Sequence, residues 1–382
     1  MTHAASALLL ACAGPRSDAA TAHRVREHAA RVERWEELVT VAERHRVLAS
    51  LARELNAHAA DLVPAETLAF LRRACTLQAV ANLRLARALH EIVSAFDAAG
   101  IRLLAHKGPS LAVLAHGDLA LRSFDDLDVL VHPGDVARAG AALVSLGYAP
   151  GTLLTDGRRA ALVRWDLHEH YVRGDTDVEL HWRLVKTAFG GRFDFDGLWA
   201  RSATVRLGGA EVRTLGPDDL LVALCVHGAT HAWSRLAWVS DVAALVDRSP
   251  ALDWARVRAL ADALGKRRMV RAALGLALAI GARVDESTEA WIRAEPGLDA
   301  LGAMVLDVMF DDDAKPGVFV RYQFAVRERG WERLALAGRT LFTPGPEDWD
   351  AIELPDSLAP LYRVVRPARL LAKYAGGLVR GR

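Results

Sequence analysis

The residues best suited to chemistry lie in one short segment, Arg122-Ser123-Phe124-Asp125-Asp126-Leu127-Asp128-Val129-Leu130-Val131. Leu127 to Val131 is apolar and β-branched, the composition of a strand. In a strand, alternate residues share a face. Asp126 and Asp128 would project carboxylates to one side, while Leu127, Val129 and Val131 pack on the other. Two like charges at that spacing repel each other unless a cation lies between them. Mg²⁺ (or Mn²⁺) suits such a pair, because it takes oxygen ligands and leaves room for water and phosphate. An acidic loop ahead of a buried strand would show the same residues, so the pair alone does not decide.

A further segment, Asp177-Val178-Glu179-Leu180-His181-Trp182, alternates polar and apolar residues, as a strand with one polar face does. If it pairs beside the Asp126 strand, Glu179 reaches the same cations. Three carboxylates on adjacent strands can hold two metals for in-line phosphoryl displacement. One metal would bind a triphosphate and the other would activate an attacking hydroxyl, with Glu179 as base or ligand. His181 shares the Glu179 face and could touch substrate, as could His168 and His170 on a facing arm. Upstream, Lys107-Gly108-Pro109-Ser110 sits between a strand and a short helix. Glycine lets backbone N–H groups approach phosphate, and a helix start favours anions. Lys107 adds a point charge and Ser110 a hydroxyl, although an ordinary turn glycine fits the same pattern.

These residues need elements to position them. Residues 1–98 read as helical, with Leu68, Leu71, Cys75, Ala79, Asn82, Leu85, Leu89, Ile92 and Phe96 in helical register. Pro64 suits a helix start and Gly100 a helix end. Ile101–Ala105 reads as a strand, Ser110–His116 as a short helix stopped by Gly117, and Asp135 as the N-cap of a helix closed by Gly147. His168–Arg173 and Thr176–Arg183 read as a hairpin turning at Gly174-Asp175, and Ala203–Thr214 as a second around Gly208-Gly209. From Pro217 the chain is helical nearly to its end. The expected fold class is therefore α+β: a small mixed sheet flanked by N-terminal and C-terminal helical segments, divided as 1–98, 99–215 and 216–382.

The bulk numbers agree with a folded protein. Hydrophobic residues are 52% and charged residues 25% of 382 residues, and the formal net charge is +1. That balance excludes a disordered chain and gives no basic bias for DNA. The three cysteines, Cys12, Cys75 and Cys225, build neither a disulfide framework nor a CxxC site and read as buried core thiols of a cytoplasmic protein. The apolar run Ala4–Ala13 lacks the charged start and cleavage site of a signal peptide. No apolar stretch reaches the roughly 18 residues of a membrane span.

Together "KGPSL", "RSFDDLDVLV", "VELHWRL" and "HGATHAWSRLAWVSDVAALV" (227–246) resemble the uncharacterised nucleotidyltransferase family of bacteria, within the polymerase-β-like nucleotidyltransferase superfamily. The resemblance covers about residues 100–246. It implies a nucleotidyltransferase sheet, Mg²⁺, a nucleoside triphosphate donor and pyrophosphate release. It assigns Asp126 and Asp128 to the metal pair and Glu179 to the third carboxylate. Gly108 and Ser110 fall on the triphosphate signature, with Pro109 intervening where the wider superfamily has none. Lys107 and Arg122 fall on basic positions, assigned here to phosphate. His227 and His231, four apart on one helix face, would meet nucleotide or acceptor, and Asp241 could orient one of them. No glutamate of the HExxH type lies between them.

The expected reaction moves a nucleoside monophosphate from a triphosphate to an acceptor hydroxyl or phosphate, on a small molecule, a peptide or protein, or an RNA end. Tailoring of a peptide natural product or polysaccharide is one setting. The alternatives are a degenerate nucleotide-binding regulatory module and a toxin that modifies transfer RNA. Trp233 and Trp238 read as core, Asp311-Asp312-Asp313 as a solvated loop, and Arg363–Arg382 as a basic peripheral helix.

Overall fold

The computed structural model describes residues 3–152, 162–163, 166–185, 193–311, 315–344, 346–352 and 354–379. Five helices come first: α1 (His3–Cys12), α2 (Ala19–Ala29), α3 (Trp35–Arg44), α4 (Leu48–His58) and the long α5 (Ala65–Ala98). The strand β1 (Leu103–Ala105) leads into α6 (Gly108–Leu111), which continues as a π-helical turn over Ala112–His116. Next come β2 (Asp126–Val131), α7 (Val136–Ser145), β3 (Ala149–Pro150) and the hairpin β4 (His168–Arg173) and β5 (Thr176–His181). A short helix, α8 (Phe195–Ala200), precedes the second hairpin, β6 (Ala203–Leu207) and β7 (Ala210–Thr214). Beyond it lie α9 (Pro217–Thr230), α10 (Leu236–Arg248) and further helices to Val379. Among the described residues no helix is long and apolar enough to cross a membrane.

The main sheet has the order β1-β2-β5-β4-β3. It is mixed: β2 and β5 run parallel, and the other neighbours are antiparallel. This agrees with the α+β expectation. Alternation along β2 sorts its side chains between two buried clusters. Leu127, Val129 and Val131 join a core with Phe96, Tyr171 and Val178, under the α5 side of the sheet. Leu130, on the opposite face with Asp126 and Asp128, joins a second core. That second core combines Leu8, Leu38 and Leu51 of the first helices with Leu221, Val226 and Val242 of α9 and α10. The apolar start of the chain is thus a core helix, with Leu8 and Leu9 fully buried.

Several expectations need adjustment. The helix expected from Ser110 begins at Gly108, and its second half is π-helical. Asp135 occupies the N-cap position of α7 but makes no capping bond; its carboxylate pairs with Arg138 at 2.6 Å instead. Cys12 and Cys225 are buried, whereas Cys75 is only partly buried because its place on α5 lies at the margin of the core. Gly100, Gly117 and Gly147 have positive φ where their helices end, as expected. Trp233 is core, while Trp238 is only partly buried. Asp311 is exposed; Asp312, Asp313 and residues 380–382 of the tail lie outside the described residues.

Candidate active site

Parallel pairing of β2 with β5 sets Asp126 opposite Asp177 and Asp128 opposite Glu179. Cross-strand partners share a face. The sheet therefore gathers the carboxylates of Asp126, Asp128 and Glu179 on one face, as their alternation required. Asp128 is 3% exposed. Lys107, two residues beyond β1, reaches its Oδ1 with Nζ at 2.6 Å. His181 Nε2 stands 3.1 Å from the same oxygen and 2.9 Å from Glu179 Oε2. His106 Nε2 lies 3.9 Å from Asp128 Oδ1.

The three carboxylates differ in electrostatics. Burial would raise the Asp128 carboxyl, but Lys107 and His181 outweigh it and hold the group well below its ordinary range. Burial and the Asp128 charge push Glu179 upward, yet its hydrogen bond with His181 leaves it at about 2. Asp126 has no hydrogen bond or ion pair among the described residues. Burial, then the charges of Asp128 and Glu179, raise it to about 6. His181 is raised as well: burial disfavours its proton, and its bonds to Asp128 and Glu179 more than restore it. Burial holds His106 well below its ordinary range and lowers His168 to about 4.

Gly108 has φ +53, and a Cβ there would lie 3.2 Å from the Asp126 carbonyl oxygen. The backbone at the start of α6 thus lies against the strand that carries the carboxylates. Ser110 is fully buried, and its Oγ has no hydrogen-bond partner among the described residues. Arg122, expected at phosphate, gives Nε and Nη2 to the two Asp241 oxygens at 2.8 and 3.0 Å. Its Nη1 is buried without a partner among the described residues.

The family model described as "Uncharacterised nucleotidyltransferase" matches residues 32–280, well over half of the chain and all of these side chains. The chain belongs to the uncharacterised nucleotidyltransferase family. It is an enzyme of nucleotidyl transfer. None of the curated proteins matches this nucleotidyltransferase. Among solved structures, a solution structure of the antibiotic-resistance factor ANT(2'')-Ia is 14% identical, with TM-score 0.34, over 47% of this chain and 89% of that one. An antigenic nucleotidyltransferase-like protein from Paracoccidioides brasiliensis is 17% identical, with TM-score 0.29, over 56% of this chain and 94% of that one. Both likenesses are too loose to bear on the site.

The enzyme's second helical half closes on the sheet. His227 and His231 do share a face, with ring centroids 4.8 Å apart, and Trp238 lies 5.2 Å from each. Burial, followed by the charge of Lys107, lowers His227 well below its ordinary range. A Cβ on Gly228 would come within 2.2 Å of the Trp233 ring, so this tight helix end requires glycine. Asp241 orients neither of these histidines. Its histidine is His116, from the π-helical turn, at 2.9 Å.

Sequence reasoning missed His106, His116, Arg46 and Arg235. His106 could have been found, because it precedes Lys107 at the end of a predicted strand. Arg46 left no local signal. It adopts a left-handed φ of 56 between α3 and α4 and pairs with Asp125, beside Asp126. Arg235 stacks on Trp238, its guanidinium carbon 5.6 Å from the ring centroid. Burial, then the repulsion of Arg46, lowers its pKa.

Proposed function

We propose that this nucleotidyltransferase is metal-dependent and moves a nucleoside monophosphate from a nucleoside triphosphate to an acceptor hydroxyl or phosphate. One observation carries the reading. Asp126 is a partly buried carboxylate, without a hydrogen bond or ion pair among the described residues, and the crowding by Asp128 and Glu179 helps to raise it to about 6. A site built that way fits a divalent cation, since oxygen donors of like charge are unfavourable together without one. Asp126, Asp128 and Glu179 would hold Mg²⁺ or Mn²⁺. When bound, the metal supplies charge neutralisation at the triphosphate and at the attacking oxygen.

The chain's own residues do the rest. Gly108 lets the backbone approach a phosphate, and Ser110 Oγ and Arg122 Nη1 are buried donors without a partner among the described residues. Lys107, already on Asp128, is placed to follow the charge that develops between carboxylate and phosphate. His181 bridges Asp128 and Glu179 and can orient Glu179 to take the acceptor's proton. His227 and His231, with Trp238, form the wall that nucleotide or acceptor would meet. We assign the chemistry to residues 99–215, with segments 1–98 and 216–382 closing the site. Free cysteines suit a cytoplasmic location.

The test is nucleotide binding and pyrophosphate release with each of the four nucleoside triphosphates, with and without Mg²⁺. Wild type and an Asp126→Asn/Asp128→Asn variant are compared. Mg²⁺-dependent binding that the variant loses is the expected result. Folded wild type that binds no triphosphate would overturn the reading and leave a non-catalytic module.

A further inference from the structure

The proposed function leaves His168, His170 and Asp177 without a task, although they line the same sheet face. In the β4–β5 pair, His168 stands opposite His181 and His170 opposite Glu179. Their side chains form a chain of contacts whose proton positions follow from the partners. The Asp177 carboxylate only accepts, so His170 Nδ1, 3.1 Å from Oδ2, carries that ring's proton. His170 Nε2 is then a lone pair, and it accepts from His168 Nε2 at 3.2 Å. A neutral imidazole has one donor and one acceptor, so His168 Nδ1 is left as a lone pair.

That nitrogen is buried and has no hydrogen-bond partner among the described residues. It faces Glu179 Oε2 at 3.8 Å, too far for a shared proton. Two acceptors thus look at each other across a gap. His181, 3% exposed, closes the third side: its ring centroid is 4.8 Å from that of His168, and its own Nδ1 is also buried and unpaired. Ligand atoms of His168, Glu179 and His181 lie within 4.8 Å of one another.

We propose that His168, Glu179 and His181 form a site for a divalent transition cation (Mn²⁺, Co²⁺ or Zn²⁺), with Asp177 and His170 fixing the tautomer of His168. Imidazole ligands suit these ions better than Mg²⁺. Three protein ligands leave positions open to water. A carboxylate–histidine relay behind a ligand nitrogen both orients it and raises its basicity. The inference rests on the proposed function only in taking Glu179 to face a cation.

Full-length protein stripped of metal would be titrated with Co²⁺, read by visible ligand-field absorption. Mn²⁺-loaded protein would be read by electron spin-echo modulation from a bound imidazole nitrogen. Wild type is expected to show both signals. His170→Ala, which removes the relay but none of the three proposed ligands, should weaken Co²⁺ roughly tenfold to a hundredfold. His168→Ala should weaken it further, and circular dichroism would confirm that each variant is folded. Asp126→Asn should keep the Co²⁺ bands while losing Mg²⁺-dependent triphosphate binding, so the two readings fail separately. Metal bound without the nitrogen signal, or a folded His170→Ala variant that binds Co²⁺ like wild type, would overturn the proposal.

Discussion

Asp126 sets a conflict between stability and function on a single side chain. Its folded pKa of about 6 lies above the ordinary 3.8. Between those values the folded state binds more protons than the unfolded state, so stability falls as pH rises through that window and stays lower above it. The shift corresponds to about 2–3 kcal/mol in the metal-free protein. Asp126→Asn should therefore raise the Tm of metal-free protein above pH 6, with little effect near pH 4, while abolishing Mg²⁺-dependent nucleotide binding. Thermal melts at pH 4 and pH 7.5 check this; equal Tm changes at both would rule out the charge crowding. Gly108 is the second single-residue constraint. Its φ of +53 and the 3.2 Å approach of a Cβ to the Asp126 carbonyl oxygen make Gly108→Ala strained. A loss of about 1–2 kcal/mol is expected by chemical denaturation, with weaker triphosphate binding.

At the scale of elements, α5 acts as the brace for the loop ahead of β2. Asn82 belongs to its core-facing series and is fully buried. Its amide donates to the carbonyls of Leu119 and, at 2.8 Å, of Arg122, and its oxygen accepts from Gln78 at 2.8 Å. Gln78 in turn accepts from Ser123 Oγ at 3.1 Å. Two polar residues one helical turn apart thus hold the segment that delivers Arg122 and Asp126. Asn82→Ala should leave both carbonyls unpaired, costing about 1–3 kcal/mol. Its kcat should fall more than that of Gln78→Ala, because only Asn82 holds the backbone. Steady-state kinetics and urea denaturation of the two variants would show it; equal effects would contradict the brace.

Across the whole molecule, the buried group formed by Asp241, Arg122 and His116 ties three parts together. Asp241 comes from α10, Arg122 from the loop before β2, and His116 from the π-helical turn. Burial would raise the Asp241 carboxyl, but Arg122 and His116 hold it at about 2, below the ordinary 3.8. The unfolded state then binds the proton first, so this contribution is present above pH 4 and lost as pH falls toward 2. It amounts to about 2 kcal/mol. Asp241→Asn should cost about 3–5 kcal/mol at neutral pH by stranding a buried guanidinium. Its loss of stability between pH 4 and pH 2 should be shallower than that of wild type. Acid titration followed by circular dichroism distinguishes the profiles.

Local pattern determined much of this protein. Period-two alternation placed Asp126, Asp128, Glu179 and His181 on strand faces, and period 3.6 placed the register of α5. Both are set by neighbouring residues and backbone geometry alone. The family resemblance was legible for the same reason, since its motifs are short and contiguous. Only tertiary structure decided the partners. Lys107 reaches Asp128 across 21 positions, His116 reaches Asp241 across 125, and Trp233 reaches Tyr322 across 89. Arg122 illustrates the limit: the sequence supplied a cation near a carboxylate strand, but Asp241, from a distant helix, took two of its nitrogens. The shared core of the first helices with α9 and α10 was equally invisible. Amphipathic periodicity tells a helix which face to bury, and only the packed chain tells it against what.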